Sequence, residues 1–457
     1  MRFTSRLLSR GLLPAPFVAF GLVFSCSSGD DERTSFVSPD ADVDAAQESD
    51  SSNDAGAAND AGPPRRDAEP FDAAPLPVVC ASPACATSLT TTSVNGSTQD
   101  GFCALLRDGT VACWGGNRSG ELGRGAAAGV DPSGTPERVV GLTDIVAIDH
   151  TCALDKDGAM WCWGYGPFLN RESPRYERRA NSTEVTPLKL PIPPATKMAL
   201  GPFAACAVVA EGVLCWGANY YGQLSATAPV YSEAPLEPSL VALPPGAPIR
   251  DLFIGNASFV VREDGTTVSW GDNPPLGRVS PVTPDHVPEP MDLSNISYID
   301  VAGANACAVA GGIPYCWGVV TGKRPGMSQP ANKSLDRALP EPVVVPEPVL
   351  RIATTAAVEN HVTVSAPRWC ACGASGAVYC WGNNVYGQVG DGTKDYAFEA
   401  VKVPLPGPAA QVKTTVDTTC ALLTSGDVYC WGADTYGQLG AGTLKQGRRT
   451  PQKVLLP

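Results

Sequence analysis

The tripeptide Cys-Trp-Gly recurs six times in this chain, each time nine or ten residues after an upstream cysteine. The copies end at Gly115, Gly164, Gly217, Gly318, Gly382 and Gly432, and a seventh copy, Ser269-Trp270-Gly271, keeps the tryptophan and the glycine. A unit that returns about every 50 residues is typical of repeat architectures, in which each repeat is one supersecondary element. The fold therefore has to be derived from the repeat.

Each repeat is centred on a predicted β-hairpin. Between Cys103 and Cys113, two short apolar runs flank Asp108-Gly109, and glycine supplies the positive φ that a tight turn needs. The two cysteines then lie opposite each other, with Cα atoms roughly 4.5–5.5 Å apart, a separation that a disulfide accepts. In the fourth unit both cysteines are replaced together, by Phe259 and Ser269. Two cysteines that form a disulfide are expected to be lost together, because either one alone has no partner. A metal site or free thiols would not require joint loss.

The sequence therefore predicts one disulfide in each of six hairpins and a further local bond near the start of the repeats. Cys372 remains as a free thiol, which we expect to be buried as a small apolar side chain; exchange with Cys380 is disfavoured. The predicted pairs are Cys80–Cys85, Cys103–Cys113, Cys152–Cys162, Cys206–Cys215, Cys307–Cys316, Cys370–Cys380 and Cys420–Cys430.

An apolar run precedes each hairpin, and in most units a proline-led run such as 136–140 or 187–190 follows it. Seven units of four antiparallel strands then account for residues 79–457. Four-stranded units repeated radially form a β-propeller, whereas an open solenoid would need distinct capping repeats, and none is apparent. The prediction is an all-β, seven-bladed β-propeller that closes with Val454-Leu455 paired beside the N-terminal strands.

The residues after each Cys-Trp-Gly support a family resemblance. A Gly-Gln-Leu-Gly signature is complete at Gly437–Gly440 and nearly so at Gly120–Gly123, Gly222–Ser225 and Gly387–Gly390. Together with units such as the one that begins at His150, it resembles the repeats of the regulator of chromosome condensation family. The resemblance covers all seven units and implies a seven-bladed propeller. The paired cysteines depart from the intracellular members and suit an oxidising compartment, as in a bacterial lipoprotein variant of the family.

The N-terminus is predicted to be an export signal. Residues 1–25 contain three arginines followed by an apolar stretch that is too short for a membrane span. The stretch ends Leu22-Val-Phe-Ser-Cys26, which resembles the lipobox of bacterial lipoproteins and implies that Cys26 is lipidated. Ser27 implies placement in the outer membrane. Ordinary signal cleavage, with Cys26 incidental, is the alternative.

Residues 26–78 are predicted to be a disordered tether between the lipidated Cys26 and the propeller. The stretch after Cys26 has 13 acidic and 3 basic residues and few large apolar side chains, so it cannot bury enough surface to fold. The remaining residues, 79–457, have 33 acidic and 27 basic side chains. This net negative charge argues against nucleic acid as a partner.

Two insertions are the candidate binding surfaces, because loops on rigid scaffolds carry function more often than strands do. One spans residues 171–179, and the other spans 321–342, where successive repeat tryptophans lie 64 residues apart against 47 to 54 elsewhere. A solvated charged loop is the alternative reading. The candidate binding residues are Arg175, Tyr176, Arg178, Arg179, Lys323, Arg324 and Arg337.

No catalytic motif is apparent, and the chain contains only three histidines. We therefore expect a monomeric, non-enzymatic envelope lipoprotein that binds a protein or a glycan and uses no cofactor or metal. The alternative is a glycan-active hydrolase or lyase at the propeller mouth, which a cluster of carboxylates and arginines from several blades would favour. Guanine-nucleotide exchange follows from the family name alone and is disfavoured.

Overall fold

The computed structural model describes residues 71, 74–80, 84–92, 100–170, 182–201, 203–224, 236–318, 339–355, 358–359, 364–365 and 367–457. They belong to one compact unit, Glu69–Pro457. The predicted signal peptide, Cys26 and most of the tether lie outside the described residues. Within the described ranges, no helix is long and apolar enough to cross a membrane.

The chain folds into seven four-stranded antiparallel sheets, which confirms the predicted propeller. Blades 1 to 3 contain β1 (Ala86–Thr91), β2 (Gly101–Leu106), β3 (Val111–Gly115) and β4 (Ser133–Arg138); β5 (Ile145–Asp149), β6 (Cys152–Asp155), β7 (Met160–Gly166) and β8 (Ser182–Lys189); and β9 (Ala195–Leu200), β10 (Ala204–Val209), β11 (Gly212–Gly217) and β12 (Leu236–Leu240). A short 3₁₀ turn, Ala126–Ala128, lies between β3 and β4.

Blades 4 and 5 contain β13 (Ile249–Ile254), β14 (Ala257–Arg262), β15 (Thr267–Gly271) and β16 (Asp285–Pro290); and β17 (Ile296–Ala302), β18 (Asn305–Ala310), β19 (Ile313–Gly318) and β20 (Glu341–Pro342). Blade 6 contains β21 (Val349–Thr354), β24 (Arg368–Gly373), β25 (Val378–Gly382) and β26 (Ala397–Lys402), interrupted by a two-stranded insertion of β22 (Val358–Glu359) and β23 (Val364–Ser365). Blade 7 contains β27 (Ala409–Thr414), β28 (Thr418–Leu423), β29 (Val428–Gly432) and β30 (Arg448–Lys453).

Strand order within each blade follows the chain, so the first strand lies at the channel and the fourth at the rim. Because neighbouring strands are antiparallel, the connections between first and second strands and between third and fourth strands share one face of the ring. We call this the variable face. The turns between second and third strands lie on the opposite face, the hairpin face.

Two turns of the hairpin face, in blades 1 and 4, follow from an Asp-Gly-Thr sequence. Gly109 adopts a φ of 75°, which a side chain would disfavour. The Asp108 carboxylate accepts hydrogen bonds from the Thr110 amide at 3.1 Å and the Thr110 hydroxyl at 2.6 Å. The same pair of bonds joins Asp264 and Thr266 in blade 4. These two turns therefore satisfy their own polar groups and fix the strand register around them.

All seven predicted cystines are bonded in the structure, and Cys372 is the one free cysteine among the described residues. In the six hairpin pairs, the Cα atoms are 4.1 Å apart. Cys372 is buried and donates to the Ala409 carbonyl at 3.0 Å, and burial raises the pKa of its thiol to about 12. The thiol therefore stays protonated and packs as a small apolar group.

The repeated tryptophan joins each blade to the preceding one through an indole latch. In this contact the buried Nε1–H donates to a backbone carbonyl in the third-to-fourth-strand connection of the neighbouring blade, at 2.7–2.9 Å. The Gly-Gln-Leu-Gly signature shapes that carbonyl's loop. In blade 7, Gln438 accepts from the Tyr436 amide at 2.8 Å, and Asp434 accepts from the Leu439 amide at 3.1 Å. The latched tryptophans described are Trp114, Trp163, Trp216, Trp270, Trp317 and Trp431.

The ring closes through the same latch. Trp114 of blade 1 donates to the Gln438 carbonyl of blade 7 at 2.9 Å. Val454 packs in the core cluster that also contains Leu89 and Trp114, but its amide donates to Val428 of its own blade. The predicted strand pairing of Val454-Leu455 with the N-terminal strands is therefore wrong, because β30 completes blade 7 and the two blades meet by side-chain packing.

The blade without a cystine offers a test of the hairpin geometry. Phe259 and Ser269 occupy the paired register of the cysteines, so oxidising a Phe259→Cys/Ser269→Cys variant should form the missing bond. The bond contributes about 2–3 kcal/mol, whereas emptying the buried Phe259 site costs about 3 kcal/mol or more, so no net gain in stability is expected. Non-reducing peptide mapping and urea unfolding measure both effects, with Phe259→Cys as control. Two free thiols after oxidation would contradict the register.

Candidate functional site at the mouth of the channel

A cavity of about 280 Å³ lies on the axis of the ring, where all seven blades meet. Its walls are the last residues of the innermost strands and the turns that follow them, so it opens toward the variable face. Polar and aromatic groups alternate with aliphatic ones. The side chains that matter most are Thr90, Asp149, His150, Tyr298, Asp300 and Lys413.

Several of these polar side chains bridge one blade to the next. The innermost strand of a blade has an unpaired edge, whose amides need hydrogen-bond acceptors. Asp149 accepts from the Leu200 amide at 2.9 Å, and Asp300 accepts from the Thr354 amide at 2.8 Å. Thr90 accepts from the His150 amide at 2.9 Å in the same way. These carboxylates and hydroxyls therefore hold the ring together around the cavity.

Lys413 is the cation at the centre of the site. Its Nζ donates to the Tyr298 hydroxyl at 2.8 Å and lies 3.6 Å from Asp300 Oδ1. The Arg351 guanidinium lies over the Tyr298 ring, 4.8 Å from its centroid. Burial alone would lower the pKa of Lys413, but Tyr298, Asp300 and Asp149 outweigh it and raise that pKa above its usual range. The lysine therefore stays charged and offsets part of the negative charge of the aspartates that line the cavity.

Asp149 and His150 form the second close polar pair, with Oδ1 and Nδ1 2.9 Å apart. Burial alone would raise the pKa of Asp149, but His150, the Leu200 amide and the charge of Lys413 hold it below its usual range. A general acid at neutral pH needs the opposite shift, a raised pKa. Asp149 is therefore built to stay ionised as a structural acceptor.

A buried arginine holds one of the turns that line the cavity. Arg368 of β24 donates to the carbonyls of Thr415, Val416 and Thr418 at 2.7–3.2 Å, which ties blade 6 to the first turn of blade 7. Burial lowers the pKa of Arg368 to about 9, partly offset by Asp417 and Asp100. The guanidinium still carries its charge at neutral pH, and its role is to fix the turn.

The seven candidate binding residues predicted from sequence lie outside the described residues. The strands that flank their insertions are described: β7 ends at Gly166 and β8 begins at Ser182, while β19 ends at Gly318 and β20 begins at Glu341. By the strand directions, all four ends lie at the variable face. The cavity and both insertions are thus attached to the same face of the ring.

The sequence reasoning did not single out Asp149, Asp300, Lys413 or Arg368. A signal for three of them existed. In the register of the inner strands, Asp149, Asp300 and Lys413 each lie opposite the first cysteine of their own hairpin. A charged side chain facing the position of a buried cystine is unusual. Aligning the repeats on that cysteine would have placed all three at the channel.

Two models of the regulator of chromosome condensation (RCC1) repeat match this chain. One matches residues 148–168 and 410–438, and the other matches residues 375–422 and 425–457. It is 27% identical over 202 residues to human E3 ubiquitin-protein ligase HERC2, a match that spans 42% of this chain and only 4% of that protein. The ring resembles Prp20p from Saccharomyces cerevisiae, with a TM-score of 0.58 at 19% identity, over 79% of this chain and 87% of the other.

Human WBSCR16 is similar at a TM-score of 0.56 and 19% identity, over 76% of this chain and 94% of its own. At this level of identity the structural matches define the fold. The repeat matches at residues 148–168 and 375–457 and the seven sheets together define a seven-bladed propeller that contains regulator of chromosome condensation repeats.

The structural role of Asp149 predicts that its contribution to the free energy of unfolding depends on pH. Asp149→Asn should lower the free energy of unfolding at pH 7 by about 1 kcal/mol, because an ionised acceptor of the Leu200 amide is lost. The unfolded carboxyl titrates near 3.9 and the folded one lower, so the contribution is complete above the unfolded pKa and disappears as pH falls through the folded one.

Urea unfolding at pH 7 and near pH 2 tests this dependence, with the exposed turn residue Asp157→Asn as the matched control. If Asp149→Asn lowered the free energy of unfolding equally at both pH values, Asp149 would not act as an ionised acceptor.

Proposed function

We propose that this protein is a non-enzymatic, lipid-anchored module of the bacterial cell envelope that binds a protein partner through its variable face. The observation that carries the proposal is the contrast between the two faces. On the hairpin face, the turns between second and third strands have only two or four residues. On the variable face, the connections between third and fourth strands have 13 to 22 residues and differ in sequence outside the complete or nearly complete Gly-Gln-Leu-Gly signature that four of them share. Such variation on a uniform scaffold is typical of a recognition surface.

Propellers of this architecture bind proteins in other settings. Prp20p has binding properties to Gsp1p and histones, and it has been crystallised bound to Kap60. These partners belong to Prp20p, and only the class of activity, protein recognition by a rigid ring, supports the proposal for this chain. Guanine-nucleotide exchange has no support beyond the family name and stays disfavoured.

An oxidising, extracytoplasmic location agrees with the seven cystines. The proposed anchor is a lipid on Cys26, and the acidic stretch up to residue 78 would hold the ring away from the outer membrane. Fatty-acid labelling that persists in a Cys26→Ala variant would contradict the anchor.

The glycan-active enzyme is the weaker alternative. The mouth of the channel does gather carboxylates and cations from several blades, which is the arrangement such an enzyme would need. However, Asp149 and Asp300 are used as acceptors for edge amides, and the pKa of Asp149 is lowered instead of raised. The carboxylates therefore have a structural use that accounts for their positions.

Affinity capture from envelope extract tests the proposed face. Replacing Arg175, Arg178 and Arg179 by alanine, and separately Lys323, Arg324 and Arg337, should reduce recovery of a discrete protein partner at least tenfold, because rim charges govern encounter and register. The matched control removes three positive charges near the hairpin face, at Arg138, Lys189 and Lys453. Equal losses in all three variants, or retention only on a polysaccharide fraction, would contradict the proposal.

A further inference from the structure

The rim of the propeller consists of seven outer strands, each of which has one unpaired edge. An exposed strand edge is a template for pairing with another chain, and proteins commonly block such edges with proline. Aligning the outer strands on the residue opposite the second cysteine shows how this ring does so. The residue just before it is Pro136, Pro187, Pro238, Pro288, Pro340 and Pro451 in six blades, and Ala400 in blade 6.

The proline in this slot lacks an N–H group. The direction in which that N–H would point follows from the alternation of hydrogen-bond direction along the outer strand. In every blade, the residue three positions after this slot donates inward to the third strand, as Val139 does to Val111 and Val403 to Val378, both at 2.8 Å. Alternate residues of a strand at a sheet edge donate in opposite directions. The slot itself therefore faces outward, and its proline removes a donor from the open edge.

Blade 6 lacks this protection. By the same alternation, the amides and carbonyls of Ala400 and Lys402 both point away from β25 at the rim, until Pro404 ends the edge. Phe398, at the start of the strand, is 65% exposed. The register shift beside the slot occurs in six blades, including this one, so it does not distinguish blade 6 from the others.

The edge is complementary to itself. Two copies of β26 can run antiparallel with Ala400 of each opposite Lys402 of the other and Val401 on the two-fold axis. This register forms four backbone hydrogen bonds and places the exposed Phe398 ring against Pro404 of the second copy. Glu399 and Lys402 leave the strand without net charge, whereas β30 carries Arg448, Arg449 and Lys453, which would repel a copy of themselves.

We propose that the edge of blade 6 is a self-association site, at which a second copy of this chain pairs antiparallel with β26. The surface is separate from the variable face, so a partner can be bound there at the same time. The six-residue edge buries less area than a standard interface of about 1,600 Å², and the association is accordingly weak and dependent on concentration.

Sedimentation velocity on residues 69–457, the compact unit, tests the site from about 1 µM to about 500 µM. Wild type should pass from monomer to dimer. Ala400→Pro, which installs the residue that six other blades accommodate, should fold normally and weaken dimerisation at least tenfold. Ala400→Ser keeps the amide and should dimerise like wild type.

Hydrogen exchange gives a second readout. In wild type, the Ala400 and Lys402 amides should become protected as the concentration rises. A wild-type protein that stays monomeric up to about 500 µM overturns the proposal. So does an Ala400→Pro variant that dimerises as tightly as wild type, or concentration-dependent protection confined to another blade.

Discussion

The indole latch is the interaction on which the rest of this structure depends. A propeller blade cannot bury both of its faces alone, so each sheet is stable only when packed against its neighbours. The repeated tryptophan supplies a large buried surface for that packing, and its single polar atom requires a partner. The carbonyl of the neighbouring loop meets that requirement at 2.7–2.9 Å in six joints. One side chain thus provides both the apolar contact and the angular register between blades.

The latch and the cystine stabilise different contacts of the ring. The cystine fixes the two central strands of a blade, and the latch fixes that blade to the one before it. Around the channel, the side chains of Thr90, Asp149 and Asp300 add a third layer by satisfying edge amides of the next blade. The part of each third-to-fourth-strand connection that carries the latch carbonyl belongs to this framework. The rest of the connection is free to differ, and that part of the variable face can be altered without loss of the ring.

The fold was predictable because its causes are local. Cys103, Gly109 and Cys113 determine one hairpin within eleven residues. Six copies of that pattern and the cysteine-free copy from Phe259 to Ser269 give the blade number. The contacts between blades were not predictable in the same way. Asp149 and Leu200 are 51 residues apart, and Arg368 reaches carbonyls 47 to 50 residues away. Neither pairing has a signal until the closed ring sets one repeat beside the next, and Ala400 became informative only after the outer strands were aligned by register.

The six described joints are equivalent, and the joint that closes the ring tests this equivalence most directly. The measurement is the free energy of unfolding of Trp114→Phe, at the closure between blades 7 and 1, compared with Trp216→Phe, at the internal joint between blades 2 and 3, where the Pro167 carbonyl is the acceptor. Each substitution leaves a buried carbonyl without its donor, so both should cost about 1–3 kcal/mol and to a similar extent. A closure variant as stable as wild type, beside a destabilised internal variant, would contradict the account.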